Sequence, residues 1–325
     1  MFSNKKYLTA DIGGTNIRLA IVESQNKRYT LRALQTYHTT DCPNIATTIQ
    51  EFLLQQKIRV NAIALACAGP LQNNRTSCTG TNGSWSVDTQ EIKEKTGISR
   101  VILLNDFEAI GFGMSQLHES QTIPITENGW LTGTIAIIGA GTGLGMTTLI
   151  YEQGRSIPIP SEGGHADLAL DPTNPLESKL AFFLKKRKIP FEAESILSGE
   201  GIVRLYEFFS RNTRKMKHIR ASERAAFVTK AALVGKDPAA IKSMALFIAI
   251  YARHARILTL STAATTLILA GGISPKIAPL LQDAFIENFA VHERTPLRTL
   301  LEQVHIFILT DEKIALYGCA EALEQ

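Results

Sequence analysis

Three glycine-rich segments of the sequence offer main-chain atoms for binding a ligand. The first runs from Asp11 to Asn16: Gly13 and Gly14 let the backbone approach a ligand, Thr15 adds a hydroxyl, and Asp11 adds a carboxylate suited to Mg²⁺, directly or through water. The second, from Gly139 to Gly145, has glycine at every second position, which fits neither the dinucleotide-binding fingerprint nor the P-loop. Exposed N–H groups of this kind bind phosphate oxygens. The third segment, the pair Gly271-Gly272, could let a flat base lie against the backbone.

A carboxylate follows the apolar run from Val101 to Leu104, which is typical of a buried strand. In open α/β sheets ligands bind beyond the carboxyl ends of the strands, so Asp106 is a candidate general base. The local sequence favours equally the interpretation that Asp106 caps a helix beginning near Glu108.

Glu162 and His165 enclose two glycines in a short segment between apolar stretches. A glutamate and a neutral histidine can hold neighbouring sugar hydroxyls, and they can also ligate a metal ion. We favour hydroxyl binding because no third ligand stands at a recognisable spacing. Glu194, just before a serine and glycine turn, is by itself typical of a surface acid.

The elements that must position these residues alternate between strand and helix, which indicates an α/β protein. Strands are predicted at 7–12 and 17–22 around the first glycine turn, and at 134–138 and 146–151 around the second. The likeness of the two hairpins suggests two related domains. Further strands are predicted at 31–37, 62–68, 101–104, 265–270 and 304–309, and helices at 45–56, 175–186, 201–212, 221–234, 239–258 and 313–323.

The composition excludes several classes of protein. The 325 residues (35.6 kDa) are 45% hydrophobic and 20% charged, which is ordinary globular composition, and the length suggests two domains. A net charge of +4 is too weak for a nucleic-acid footprint. The four cysteines form no C-x-x-C pair, and no apolar run has signal-peptide or membrane-spanning length, so we expect a cytoplasmic protein that binds neither membrane nor nucleic acid.

Six motifs in this order resemble the bacterial glucokinase family, and the resemblance runs nearly end to end. It implies an actin-like (ribonuclease-H-like) ATPase fold of two domains with a ligand cleft between them, a small α/β domain at 1–114 plus 309–325 and a large domain at 115–308. ATP and glucose would lie in that cleft. The six motifs are Ala10 to Arg18, Leu104 to Phe107, Gly139 to Gly145, Glu162 to His165, Leu197 to Gly201 and Ala270 to Ile273.

The resemblance also implies roles for single residues. Asp106 would be the base, with Asn105 a sugar-hydroxyl partner and Asp11 the residue that binds Mg²⁺. The remaining sugar ligands would be Asn82, Glu162, His165 and Glu194. The nucleotide would contact Ala10, Asp11, Ile12, Gly13, Gly14, Thr15, Gly139, Gly141, Thr142 and Gly143, with Gly271 and Gly272 near the nucleoside.

Two departures from related families carry information. Ala10 stands where glycine is common in the first loop. The cysteine-rich zinc motif of the related family of repressors and kinases is missing, and so is an N-terminal helix-turn-helix, so we expect neither zinc nor DNA binding.

The resemblance implies an enzyme that transfers the γ-phosphoryl group of ATP to the 6-hydroxyl of glucose, and homodimers are common among the relatives. Two alternatives stay open at this point. One is a kinase for another hexose, which would use the same residues. The other is a non-enzymatic sugar sensor on the same fold, which intact phosphate loops and Asp106 disfavour.

Overall fold

The computed structural model describes residues 5–80, 85–127, 129–153, 155–210 and 214–325. The chain divides into two compact units. The first comprises Met1–His118, Leu149–Pro160 and Asp311–Gln325, and the second comprises Glu119–Thr148 and Ser161–Thr310.

The first unit is built on a five-stranded sheet of order β3-β2-β1-β4-β8. The hairpin partners β1, β2 and β3 run antiparallel, whereas β1, β4 and β8 run parallel. The elements of this unit are β1 (Lys5–Ile12), β2 (Asn16–Gln25), β3 (Arg28–His38), α1 (Ile45–Gln56), β4 (Ala62–Cys67), β5 (Leu71–Gln72), β6 (Ser77–Thr79), β7 (Ser86–Asp88), α2 (Thr89–Thr96), β8 (Val101–Asn105) and α3 (Asp106–Gly113), and β5, β6 and β7 form a small sheet of their own.

Helices cover both faces of the five-stranded sheet. Every residue of β4 is buried, and alternation along the strand sends Ile63, Leu65 and Cys67 into a core shared with α1 and α2. The opposite face of β4 carries three alanines, at 62, 64 and 66, and packs against the C-terminal helix, Ile314–Ala322. Small side chains on that face let the helical layer lie close to the sheet.

The C-terminal helix also packs tightly against α3, the helix whose first residue is the candidate base. A Cβ on Gly318 would lie 1.8 Å from the carbonyl oxygen of Ala109, so this crossing requires glycine. The close approach fixes α3, and with it the position of Asp106, against the last helix of the chain.

A six-stranded sheet of order β12-β11-β10-β13-β14-β9, in which β10, β13 and β14 run parallel, lies mainly in the second unit. The residues Leu149–Pro160, which carry the end of β11 and most of β12, belong to the first unit. The five strands β12-β11-β10-β13-β14 repeat the order of the five-stranded sheet, β3-β2-β1-β4-β8, which agrees with the predicted pair of related hairpins. The strands of this sheet and the helices of the second unit are β9 (Thr122–Pro124), β10 (Ile135–Ala140), β11 (Leu144–Glu152), β12 (Arg155–Ser161), α4 (Pro175–Lys186), α5 (Gly199–Phe209), α6 (Arg214–Lys217), α7 (Ala221–Val234), α8 (Pro238–Thr262), β13 (Thr266–Ala270), α9 (Ala278–Phe289), α10 (Thr295–Glu302) and β14 (His305–Leu309); the C-terminal helix of the first unit is α11.

The long helix α8 is the centre of the second core. Asp237 caps it through bonds from the N–H groups of Ala239 and Ala240, and its Tyr251 hydroxyl donates to the carbonyl of Ile138 on β10 at 3.2 Å. By length and composition alone α8 could cross a membrane, but 61% of its apolar window is buried inside the fold, as expected of a core helix.

Most elements predicted from the sequence are present, with shifted ends. The helix predicted at 201–212 begins instead at Gly199, because the Ser198 hydroxyl accepts the N–H of Gly201 and so caps the helix. Strand β11 begins at Leu144, inside the predicted glycine loop. The sequence patterns predict no helix at α2, α6, α9 or α10. Both α9 and α10 carry a proline in the first turn.

Candidate active site

The first unit brings Asp11 and Asp106 to one edge of its sheet. Strands β1, β4 and β8 are parallel and end at Ile12, Cys67 and Asn105, which lie in one row of the register. Neighbouring strands lie about 4.8 Å apart, so the ends of β1 and β8 are roughly 10 Å apart across β4. This edge is where open α/β sheets bind ligands.

The cap of helix α3 is Asn105, which corrects the interpretation of Asp106 as a cap. The Asn105 side-chain oxygen accepts hydrogen bonds from the N–H groups of Phe107 at 3.0 Å and Glu108 at 3.3 Å. In return, the carboxylate of Glu108 accepts a hydrogen bond from the backbone N–H of Asn105. The helix therefore begins at Asp106, two residues earlier than predicted. Asp106 is left at the first helical position, partly buried, where the helix dipole favours a negative charge.

An ion pair between the exposed side chain of Arg75 and the buried Glu108 stabilises this turn. Arg75 donates to Glu108 at 2.5 Å and to the carbonyl of Leu103 at 3.2 Å, and Glu108 is only 7% exposed. Neither residue was singled out in the sequence. The signal that could have found Glu108 is the capping-box spacing of Asn105 and Glu108, whereas nothing local points to Arg75.

The first glycine loop joins β1 to β2 and is tied to the segment after β3. The N–H of Thr39 donates to the carbonyl of Thr15 at 3.0 Å, and the Thr39 hydroxyl donates to the carbonyl of Gly13. Ala10 and Ile12 are fully buried within the sheet, main chain included, so these two predicted nucleotide contacts present no exposed surface.

Asp11 stands opposite Arg18 in the hairpin register, and the Arg18 guanidinium donates to its Oδ2 at 3.0 Å. A second nitrogen of Arg18 binds Glu312 at 2.5 Å. Burial raises the pKa of Asp11, and the Arg18 charge opposes that shift. The pair keeps a carboxylate at the edge of the sheet beside the glycine loop.

The second glycine loop and the Gly271-Gly272 pair come together in the second unit. Gly271 has φ of +78°, and a Cβ there would lie 2.4 Å from the carbonyl oxygen of Ala140. The N–H of Ile273 donates to that same carbonyl at 3.1 Å, while the space around Gly272 is open. Both segments follow parallel neighbouring strands, β10 and β13, at the same edge of the sheet.

Helix α5 begins at this glycine loop, a contact that the local sequence does not indicate. The N–H of Gly199, the first residue of α5, donates to the carbonyl of Gly141 at 2.9 Å. The positive end of the helix dipole therefore adds to the N–H groups of the loop, a combination that favours an anion such as phosphate.

A cluster of four titratable side chains lies in the second unit. Glu162 precedes a short 3-10 turn, Gly163–His165, and Glu194 lies in another, Ala193–Ser195. Desolvation raises the pKa of Glu162, the Glu194 charge raises it further, and His165 opposes both effects. The structure thus brings the predicted sugar ligands Glu162, His165 and Glu194 together, and it adds Glu192.

Glu194 is more than a surface acid. It is partly buried, and its Oε2 accepts the backbone N–H of Leu144 at 2.8 Å. Glu192 Oε2 lies 3.2 Å from His165 Nδ1. His165, Glu192 and Glu194 offer donor atoms within 4.8 Å of one another. This three-residue group contains His165 but not Glu162, the other candidate metal ligand of the sequence.

Asn82, the remaining predicted sugar ligand, lies outside the described residues. Thr142 is exposed on the second glycine loop, and Gly143 lies directly against the Glu194 carboxylate. Each unit therefore carries a set of the predicted residues in contact or in register with one another.

Comparison with known proteins agrees with this geometry. The glucokinase family model matches residues 8–325. A glucokinase from Nostoc punctiforme is 34% identical, over 96% of this chain and 97% of its own. The crystal structure of a glucokinase from an Antarctic psychrotroph has a TM-score of 0.80 at 26% identity and covers 99% of both chains. That of a Balamuthia mandrillaris glucokinase in complex with glucose has a TM-score of 0.82 at 21% identity, covering 99% of this chain and 94% of its own.

The sheets, the carboxylates at their edges and the glycine loops define a sugar kinase with the actin-like ATPase fold, as the sequence predicted. The match over nearly the whole chain is more specific. The chain belongs to the glucokinase family, whose enzymes phosphorylate glucose at the expense of ATP.

Proposed function

We propose that the chain transfers the γ-phosphoryl group of ATP to the 6-hydroxyl of D-glucose, giving glucose 6-phosphate and ADP, with Asp106 as the general base. The observation that carries this proposal is the position of Asp106. It is the first residue of a helix at the carboxyl edge of a parallel sheet, held by the Asn105 cap and the pair of Arg75 and Glu108. A carboxylate fixed in that way can accept the proton of a hydroxyl without reorganising.

The sugar is bound by hydrogen bonds to groups that the fold holds in place. Glu162, His165 and Glu194 take hydroxyls on the second unit, and Asn105 and Asn82 are further ligands. The amide of Asn105 remains a hydrogen-bonding group for the sugar because the cap uses only its oxygen. A site that pairs each hydroxyl rejects an analogue lacking one by about 10⁴-fold or more.

The nucleotide phosphates are bound by N–H groups of the two glycine loops, assisted by the N-terminus of α5. Gly271 and Gly272 lie near the nucleoside, and the open space at Gly272 suits a flat base. Catalysis then rests on positioning and on neutralising phosphate charge, because phosphoryl transfer needs little covalent help from the protein.

The residues present fit a magnesium ion at Asp11. Its carboxylate is partly buried and lies beside the glycine loop, and Arg18 binds its Oδ2, so Oδ1 remains for a cation or a cation-bound water. A bound Mg²⁺ supplies charge neutralisation of the polyphosphate. Arg18 and the loop N–H groups keep that carboxylate and the phosphates aligned.

The test is glucose-dependent ADP production by the purified protein with MgATP, together with Asp106→Asn and a matched control, Asp283→Asn, in which an exposed helix aspartate is changed. Asp106→Asn should lose roughly 10² to 10⁴ in kcat and still bind glucose, as measured by calorimetry. The control should keep full activity.

Unchanged turnover in Asp106→Asn would remove Asp106 as the base. A panel of hexoses in the same assay tests the substrate. If turnover is highest with another hexose, that hexose is the substrate instead of glucose. If the protein binds glucose but turns over no sugar, it is a sugar sensor and not an enzyme.

A further inference from the structure

Glu192 contacts a proposed sugar ligand but has no role in the proposed reaction. Its Oε2 lies 3.2 Å from Nδ1 of His165, and the two side chains are 28% and 38% exposed. The pair is therefore accessible to a substrate yet shielded enough for a hydrogen bond to matter.

Backbone pairing holds the two residues in this arrangement. The N–H of Leu168 donates to the carbonyl of Phe191 at 3.2 Å, and the N–H of Ala193 donates to the carbonyl of Ala166 at 2.9 Å. Glu192 forms an isolated antiparallel bridge at the centre of this pairing. The segment after His165 and the segment containing Glu192 are thus tied together through their backbones.

The chemistry of the contact decides the state of the histidine ring. A carboxylate can only accept a hydrogen bond, so His165 Nδ1 must carry the hydrogen. In the neutral ring Nε2 then bears a lone pair and can only accept. We propose that Glu192 is a positioning residue that fixes this tautomer, so that His165 accepts a hydrogen bond from a sugar hydroxyl; this inference rests on the proposed function.

The neighbouring charges give the inference a consequence for specificity. Glu162 and Glu194 are charged groups close to His165 on the adjoining turns, and both carboxylates are acceptors. With His165 also an acceptor, this side of the site requires hydroxyl hydrogens from the sugar. A fluorine replaces the oxygen but carries no hydrogen, so it cannot satisfy such a site.

The first measurement is the tautomer itself. Proton–nitrogen multiple-bond correlation spectra of protein labelled with ¹⁵N-histidine distinguish the two ring nitrogens, and His165→Gln assigns the His165 signals among the seven histidines. In alkaline buffer, where histidine rings are neutral, we expect hydrogen on Nδ1 in the unmodified protein and a mixture in Glu192→Ala. Hydrogen on Nε2 in the unmodified protein would overturn the proposal.

The second measurement is kinetic. Glu192→Ala should raise the KM for glucose about tenfold, with kcat within about threefold and the KM for ATP unchanged, because only sugar binding loses an oriented partner. Glu192→Gln should recover most of the loss, since its amide oxygen also accepts. Glu287→Ala, an exposed glutamate on α9, is the matched control. Unchanged KM in Glu192→Ala contradicts the inference.

The third measurement compares singly deoxygenated and singly fluorinated glucoses as ligands. The hydroxyl that His165 contacts is the one whose removal weakens binding to the unmodified protein but not to His165→Gln. At that hydroxyl position, the deoxygenated and the fluorinated glucose should bind equally poorly. Better binding of the fluorinated analogue would show that His165 donates. The inference would also be overturned if the unmodified protein bound a stoichiometric metal ion and Glu192→Ala did not, because Glu192 would then be a metal ligand. If no sugar is phosphorylated, the proposed function fails while the tautomer remains measurable.

Discussion

The carboxylate of Glu194 accepts a hydrogen bond from the backbone N–H of Leu144 at 2.8 Å. Leu144 belongs to the glycine-rich loop proposed to bind phosphate, and Glu194 is a proposed sugar ligand. One side chain thus joins the two binding functions within the second unit. We therefore expect changes at this contact to affect both substrates.

Replacing Glu194 by alanine removes both a sugar ligand and the partner of the loop. We expect Glu194→Ala to raise the KM for glucose by roughly 10- to 100-fold, the effect of losing a hydrogen bond to a charged group. It should also weaken ATP binding about threefold or more, because the Leu144 N–H loses its acceptor. Calorimetric titration with ATP in the absence of sugar measures the second effect by itself.

The matched variant Glu194→Gln separates the two effects. Its amide oxygen can still accept from Leu144, so ATP binding should stay within about twofold of the unmodified protein while glucose binding falls. Equal ATP affinity in the alanine and glutamine variants would show that the contact does not hold the loop.

Gly143 cannot accept a side chain without displacing Glu194. A Cβ at this position would lie 2.4 Å from Glu194 Oε2, whereas the nearest atom to a Cβ on Gly141 is 3.9 Å away. Gly143→Ala should therefore weaken the binding of both glucose and ATP. Gly141→Ala should weaken the binding of ATP alone. Initial rates with each substrate varied in turn provide the comparison, and a Gly143→Ala variant with normal glucose KM would contradict it.

Arg18 opposes the rise in the pKa of Asp11 that burial causes. In Arg18→Gln that pKa should rise further, so more of the carboxyl is protonated as the pH falls. We expect the KM for MgATP, relative to the unmodified protein, to increase more at low pH than at high pH. Arg32→Gln, which breaks an exposed ion pair with Glu23 on the same sheet, should show no such trend.

His254 makes the stability of the second unit depend on pH. Burial, and secondarily the Arg253 charge, lowers the pKa of His254 to about 4, and its Nε2 accepts the N–H of Ala169 at 3.1 Å. The unfolded chain binds the proton more readily, so this contribution is present above about pH 6.5 and is lost as the pH falls towards 4. The loss in the free energy of unfolding amounts to about 3 kcal/mol.

Urea unfolding of the unmodified protein, His254→Gln and the exposed control His38→Gln across this pH range tests that effect. The difference between the unmodified protein and His254→Gln should shrink as the pH falls. A difference that stays constant with pH would show that His254 does not titrate with folding.

Local sequence was sufficient to predict many elements of the fold. The helices at 45–56 and 175–186 have the predicted bounds, because an asparagine cap precedes each and apolar residues recur at helical spacing. The start of α5 and the start of α3 were misplaced, because Ser198 and Asn105 act as caps through contacts that residue type alone leaves ambiguous.

What the sequence by itself determined is the set of motifs: the glycine loops, Asn105 with Asp106, and the segment from Glu162 to His165, each a short run whose chemistry is readable in place. Only the tertiary structure decided the partners that hold them. Glu192 meets His165 across 27 positions, Arg75 meets Glu108 across 33, and Glu194 meets Leu144 across 50. Such contacts depend on which turns and strand ends the folded chain places side by side, and no local periodicity encodes that choice.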